Sequence, residues 1–426
     1  MGTIPLSPAD RMTPDTRDSR AAFRIPDYRF YVSSRFLWTM GQQIMGVATA
    51  WFIYERTQDP LALGLIGLAT FLPSIPLSLV TGAVADRYDR RRIIILSCIV
   101  MAVCAAAIFY MTRTTWVWPV YGAVMVLGAA RSFSNPAGQA LMMNLVPNEQ
   151  YTSATSWNNS ITQTANIIGP GVGGLLYPLG AGVPFAVAFC LYLGAVVFAA
   201  RIVPRPNTGA KPPVTLAVLV AGYQYIWSKP VLLGSITLDL VAVLLGGATA
   251  MLPIFAQEIF LAGPWALGLL RATPSVGSIL AALAFANYPV RRNVGKIMYA
   301  CVFIYGLATI GFGLSTNIFV AMFFLAVIGA ADMISVVIRQ TLIQVETPND
   351  MRGRVIAVHT ILTGTSNQLG DFESGVLARF IGAVPTVVFG GCAALAATSL
   401  WVKLFPGLYH RDRFERPKSE TAETVN

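Results

Sequence analysis

Residues 82–92 read Gly82-Ala83-Val84-Ala85-Asp86-Arg87-Tyr88-Asp89-Arg90-Arg91-Arg92, a polar interruption between two apolar runs, 61–84 and 93–111. Each run is long enough to cross a bilayer as a helix, which takes roughly 20 residues. Four arginines and two aspartates cannot lie in hydrocarbon, where each charge costs about 2.5–3.5 kcal/mol. The stretch must turn at a membrane surface, and its excess of arginine puts that surface in the cytoplasm. One loop thus constrains the solvent of the chain, one helix pair and an orientation.

Composition agrees with a membrane solvent. The chain of 426 residues is 55% hydrophobic and only 12% charged, where a soluble domain carries about a quarter charged residues. A net charge of +10 would suit nucleic acid. Its Lys and Arg instead collect in the tails and in alternate short loops, the positive-inside pattern, so the expected partner is a lipid bilayer and no nucleic acid. Residues 1–24 are polar, so the first span is read as an uncleaved signal with its basic flank inside. Cys98, Cys104, Cys190, Cys301 and Cys392 fall in apolar runs without metal-ligand spacing and read as small helix residues.

Run lengths and interruptions give twelve expected spans: 30–54, 62–85, 93–112, 117–144, 152–178 and 182–203, then 231–257, 265–288, 296–315, 318–344, 354–380 and 383–405. The expected organisation is a cytoplasmic tail 1–27, a six-helix half 28–204, a cytoplasmic linker 205–229, a second six-helix half 230–406 and a cytoplasmic tail 407–426. Prolines 204, 206, 212 and 213 break any helix in the linker, and 214–227 suits a short helix lying in the interface. The fold class is an all-α membrane protein: twelve transmembrane helices as two pseudo-two-fold repeats, both termini cytoplasmic. The halves are related in sequence. At a shift of 201 residues Gly128 falls on Gly329, Gln139 on Gln340, Gly169 on Gly370 and Gly174 on Gly375, and at a shift of 204 Pro60 and Gly64 fall on Pro264 and Gly268. Parallel repeats of this kind imply a site between the halves.

The pattern Gly82-x-x-x-Asp86-Arg87-x-x-Arg90-Arg91 resembles the signature between the second and third helices of the major facilitator superfamily, and its second copy at 286–292 lacks the acid. The resemblance implies a conformational latch, with Gly82, Asp86, Arg87, Arg90 and Arg91 closing the cytoplasmic side against the start of the eleventh helix near Met351 and Arg354. The alternative is a basic loop that only sets topology. Gly169-Pro170-x-x-Gly173-Gly174 is similar to the antiporter motif of the superfamily's exporters. Close helix packing accounts for the same residues. The literal Gly-x-Gly-x-x-Gly within it follows no strand and is no dinucleotide site. The first motif, the linker and the fourth and fifth spans look most like the branch that holds the enterobactin exporter and macrolide efflux proteins.

In such a fold helices one, four, seven and ten line the cavity. The resemblance therefore implies that Arg131, Asp239, Asp332 and Arg339 point to a common space with Gln42, Gln43, Trp38 and Phe255. A proton-coupled carrier needs a carboxylate that titrates near neutral pH, which makes Asp239 and Asp332 the coupling candidates and Arg131 their modulating partner. A structural ion pair between the halves is the alternative. Asp371 and Glu373 are expected nearer the outer end of span eleven, where one lines the exit, and Glu55 and Glu258 on the solvated outer rim. No Walker-type loop, no His-Glu-x-x-His and no nucleophile–base pairing stands out, so the chain does not read as an enzyme. The expected function is export of a small molecule, a drug-like compound or a siderophore, by proton antiport and rocking-switch alternating access. The expected setting is the bacterial inner membrane, as a monomer, with no cofactor beyond the proton gradient. An importer or facilitator on the same fold and a non-transporting membrane sensor or scaffold are the alternatives.

Overall fold

The computed structural model describes residues 21–203, 216–288, 290 and 292–414. Every element among them is helical: α1 (Pro26–Thr57), α2 (Pro60–Phe71), α3 (Ser74–Arg87), α4 (Arg90–Met111), α5 (Trp118–Leu145), α6 (Tyr151–Leu176), α7 (Val183–Ala200), α8 (Leu216–Ser228), α9 (Pro230–Leu245), α10 (Leu252–Ile254), α11 (Pro264–Asn287), α12 (Val294–Gly313), α13 (Ile318–Glu346), α14 (Asn349–Ile381), α15 (Ala383–Leu404) and α16 (Pro406–Tyr409). Residues 1–20, 204–215 and 415–426, which hold parts of the expected tails and linker, lie outside the described residues.

Local chemistry sets the boundaries. Asp59, Asp89 and Asn317 cap α2, α4 and α13, each side chain accepting a backbone N–H from two residues on, at 3.0, 3.0 and 2.8 Å. Positive φ at Gln58 and Gly382 ends α1 and α14. Two spans expected to be continuous are interrupted. The 62–85 run is split between α2 and α3, where Pro73 and Pro76 remove two backbone donors within one turn. The 231–257 run leaves α-geometry at Gly246-Gly247, then passes through a 3-10 turn (Ala248–Met251), α10 and a π-helical turn (Phe255–Ile259). A Cβ on Gly247 would lie 2.7 Å from the carbonyl of Gly370 in α14, so only a bare backbone fits.

Seven helical segments among the described residues are long and apolar enough to cross a membrane: α4, α7, the 230–259 stretch, α11, α12, α13 and α15. Of the long helices that fail, α1, α5 and α14 line the central cavity and carry most of its polar groups, and α6 packs against α1 and α11. Their polarity serves a water-accessible space rather than lipid.

The sequence repeat reappears as repeated contacts. A Cβ on Gly128 would lie 2.5 Å from the Thr70 carbonyl, and one on Gly329 would overlap the Pro274 carbonyl. These are the same α5-on-α2 and α13-on-α11 approach. Between the halves, Gly375 of α14 meets Gly64 of α2 (Cβ to Cα 2.6 Å), and Gly174 of α6 meets Gly268 of α11 (3.1 Å). Exchanging the halves exchanges these two contacts.

All four glycines lie toward one end of the bundle, the end of the 57–60 and 259–264 turns. Tyr54 donates to Glu258 across the halves there, and Arg379 pairs with Asp59 at 3.2 Å. Glu55 accepts from Tyr177 at 2.6 Å, so both rim glutamates have fixed partners. One hydrophobic core runs through both halves at this end, joining Phe52 and Ile53 to Leu252, Phe255 and Leu267. Toward the arginine-rich end the second half has separate cores of its own. There Arg91 donates to the carbonyls of Ala199 and Ala200 at the end of α7, a contact within the first half. The start of α14 packs on α8, with the Arg354 carbonyl 2.8 Å from where a Gly222 Cβ would stand. The side chain of Asp86 lies outside the described residues. Residues 407–414, expected as tail, clasp the second half: Gly295 N–H donates to the Arg411 carbonyl at 2.9 Å, and Arg411 pairs with buried Glu346.

Candidate functional site

A cavity of about 240 Å³ lies between the halves. α1 contributes Gln42, Gln43, Gly46 and Thr49, and α2 contributes Leu63, Ile66, Gly67 and Thr70. Leu127 and Arg131 come from α5 and Tyr192 from α7. The second half adds Thr249, Ala250 and Pro253 from the broken segment after α9, Arg271 from α11, and Gln368 and Asp371 from α14. Broken helices at such a position leave backbone groups free to face a ligand.

Gly169 lets Gln43 reach this space. A Cβ there would stand 2.5 Å from the Gln43 Cβ, so α1 and α6 touch along Gly169 and Gly173. Gln43 then donates to Asn166 at 2.7 Å, and Asn166 to Gln163 at 2.9 Å. Pro170, which cannot donate to the Asn166 carbonyl, presents its own carbonyl to Gly268 of the other half.

Two charges of the second half reach into the first. Arg271 donates Nη1 to the Gly46 carbonyl at 3.1 Å. Asp371 packs against Gly67, whose Cβ would stand 2.9 Å from the aspartate Cβ, and accepts weakly from Thr249 at 3.5 Å. Asp371 is the carboxylate within electrostatic reach of Arg271. Arg271 is not among the residues expected from sequence, and of Asp371 and Glu373, one of which is expected to line the exit, Asp371 stands in the cavity wall.

The expected common space is divided. Gln42, Gln43 and Arg131 line the cavity, but Asp239 and Asp332 do not. They face a separate void of about 10 Å³ between α9, α12 and α13, with Tyr305 and Ser335. Asp239 is ion-paired with Arg339 at 2.5 Å, both side chains being less than a tenth exposed. Arg339 also donates Nε to His359 Nε2 at 3.2 Å. The pair therefore ties α9, α13 and α14 within the second half. It does not join the halves, and Arg131 is no part of it. Asp332 has no ion-pair partner among the described residues. Tyr305 lines this void and lies within electrostatic reach of Asp332, Asp239 and Asp371.

Trp38 is also displaced from the expected site. It is buried against α4, donating to Met101 Sδ at 3.1 Å, with the Arg35 guanidinium 4.2 Å from its ring. Phe255 is stacked on Phe312 at 4.6 Å in the core.

Comparison with known proteins gives a consistent result. The family model described as Major Facilitator Superfamily matches residues 32–370. The chain is 27% identical to the multidrug efflux pump Tap of Mycolicibacterium fortuitum over 80% of its own length and 87% of that protein. It is 24% identical to macrolide efflux protein A of Streptococcus pyogenes over 80% and 86%. The crystal structure of the nucleoside transporter NupG superposes with a TM-score of 0.68 at 11% identity, covering 89% of this chain and 99% of that one.

Proposed function

The chain belongs to the Major Facilitator Superfamily, and from that premise we propose that it is a secondary active exporter of a small molecule, a drug-like compound or a siderophore, working by proton antiport and alternating access. The family and its relatives are transporters and not enzymes. The observation that carries the reading is the cavity between two halves that, among the described residues, are sealed together at the end of the 57–60 turn. The efflux pumps among the relatives support export over import. In the proposed topology α2–α3 and α9–α10 each form one of twelve spans, the arginine-rich end and both termini are cytoplasmic, and the protein works as a monomer in a bacterial plasma membrane. The state described is then the one open to the cytoplasm, ready to load cargo. Everted membrane vesicles test the proposal: a drug or siderophore should accumulate when the lumen is acid and leak when a protonophore collapses the gradient. Indifference to every ion gradient would refute antiport.

Asp332 is the proposed coupling carboxylate. It is half-buried and lacks a cationic partner in contact among the described residues, whereas Asp239 is already held by Arg339. Asp332→Asn should leave counterflow exchange near the wild-type rate and reduce gradient-driven accumulation at least tenfold, since a coupling site is needed only for the proton step. Full gradient-driven accumulation by the variant would remove Asp332 from the mechanism.

Asp86 is the proposed latch of the opposite state, closing the cytoplasmic end on α14 near its N-terminus, where the helix dipole favours an anion. Asp86→Asn should lower the transport rate several-fold while the protein still inserts, because Arg87, Arg90 and Arg91 remain to set topology. Membrane fractionation alongside the vesicle assay decides this, and loss of insertion would return the loop to a purely topological role.

A further inference from the structure

We infer that the cargo of the central cavity is an organic anion, a carboxylate-bearing amphiphile held between Arg131 of the first half and Arg271 of the second. The inference rests on the transporter reading and specifies its substrate class. Two guanidinium groups and one carboxylate, Asp371, line the cavity. Among the described residues neither guanidinium is in a salt bridge: Arg131 makes no hydrogen bond or ion pair, and Arg271 has only the Gly46 carbonyl. No lysine, histidine or glutamate shares this lining, so Asp371 alone offsets the excess charge.

An unpaired charge deep in a membrane protein is costly and marks a ligand path. A guanidinium is a planar fork matched to a carboxylate, with more donors than one carbonyl can use. Around the two arginines the wall alternates amide and hydroxyl groups, such as Gln42, Gln368 and Thr49, with apolar ones, such as Leu63, Ile66 and Val124. That lining suits an amphiphile with one anionic head. A cationic head would meet two like charges and a single carboxylate already within reach of one of them.

The arginines also belong to different halves. Before cargo binds, bringing the halves together around the cavity confines two cations that repel. A bound carboxylate turns that repulsion into two attractions, so cargo stabilises the occluded form by its differential affinity for it.

Three naphthalene probes with the same ring test the head group: 1-naphthaleneacetate, 1-naphthaleneethanol and 1-naphthylethylammonium. Their saturable binding to the purified protein in nanodiscs is measured against empty nanodiscs. The anion should bind about tenfold more tightly than the alcohol, the worth of one charge-assisted hydrogen bond, and the ammonium more weakly than both. Arg131→Gln and Arg271→Gln should each cut the preference for the anion to about twofold, while Arg131→Lys and Arg271→Lys retain most of it. Asp371→Asn should strengthen anion binding. The inference is overturned if the ammonium binds as tightly as the acetate, if no saturable anion binding occurs, or if the preference survives both glutamine variants. The lysine variants control for folding. Binding needs no gradient, so anion binding without transport would refute export alone, and gradient-driven transport of cations only would refute this inference alone.

Discussion

Gly268→Leu is expected to expel the carrier from the state sealed at the 57–60 end and to stop turnover. A Cβ at Gly268 would stand 2.5 Å from the Pro170 carbonyl and 3.2 Å from the Cα atoms of Gly171 and Gly174. All three obstacles are backbone of the opposite half, which no rotamer change can move aside. Overpacking of this kind costs about 1–3 kcal/mol, enough to shift a two-state equilibrium about 5–150-fold. The contact exists only where the halves meet, so the cost falls on the conformation and not on the fold of either half. The measurement uses a background without Cys98, Cys104, Cys190, Cys301 and Cys392 and a single cysteine at Gln368. Labelling by a membrane-impermeant maleimide from outside the cell should rise in Gly268→Leu. It should rise less in Gly268→Ala and not at all in Gly171→Ala, since a Cβ at Gly171 meets nothing within 4 Å. Wild-type transport by Gly268→Leu would show that the seal does not open in the cycle.

The same glycine shows what a sequence can carry. Its repeat relation to Gly64 was readable, as was that of Gly174 to Gly375, and a two-fold relation turns two such identities into a pair of crossing contacts. Cap residues and polar loops marked the helix ends for equally local reasons. Breaks inside spans were harder. The 231–257 run is broken in charge only by Asp239, well before its departure at Gly246-Gly247, where the backbone of Gly370, far away in sequence, leaves no room for a side chain. The site was legible where a polar residue interrupts an apolar run on a helix that happens to face the cavity, as with Gln42, Gln43 and Arg131. Arg271 carried the same signal, a lone cation between Leu270 and Ala272. Its repeat mate is the uncharged Gly67, so the repeat gave no second hint. For Asp332 and Arg339 the spacing of seven residues correctly put both on one face of α13. Nothing in that spacing says which neighbour the face meets, and it meets α9 and α12 inside its own half.

That packing sets the second large effect. Asp239→Leu should destabilise the protein by about 3–5 kcal/mol, because it strands the Arg339 guanidinium, only 2% exposed, beside His359. Arg339→Met should cost a similar amount by stranding the aspartate. The double variant Asp239→Leu/Arg339→Met should recover most of the loss, since replacing both partners of a buried pair with apolar groups of similar volume is often neutral. Thermal unfolding in detergent, read by size-exclusion recovery, gives the three values. A double variant as unstable as the sum of the singles would mean that the pair is worth more than its mutual desolvation, through His359 or groups beyond it. Transport by the double variant then separates structure from coupling. With the fold restored, gradient-driven accumulation should persist, because Asp332 and the cavity charges are untouched. If accumulation is lost while counterflow and melting temperature are normal, the proton site is the Asp239–Arg339 pair itself and Asp332 is its neighbour.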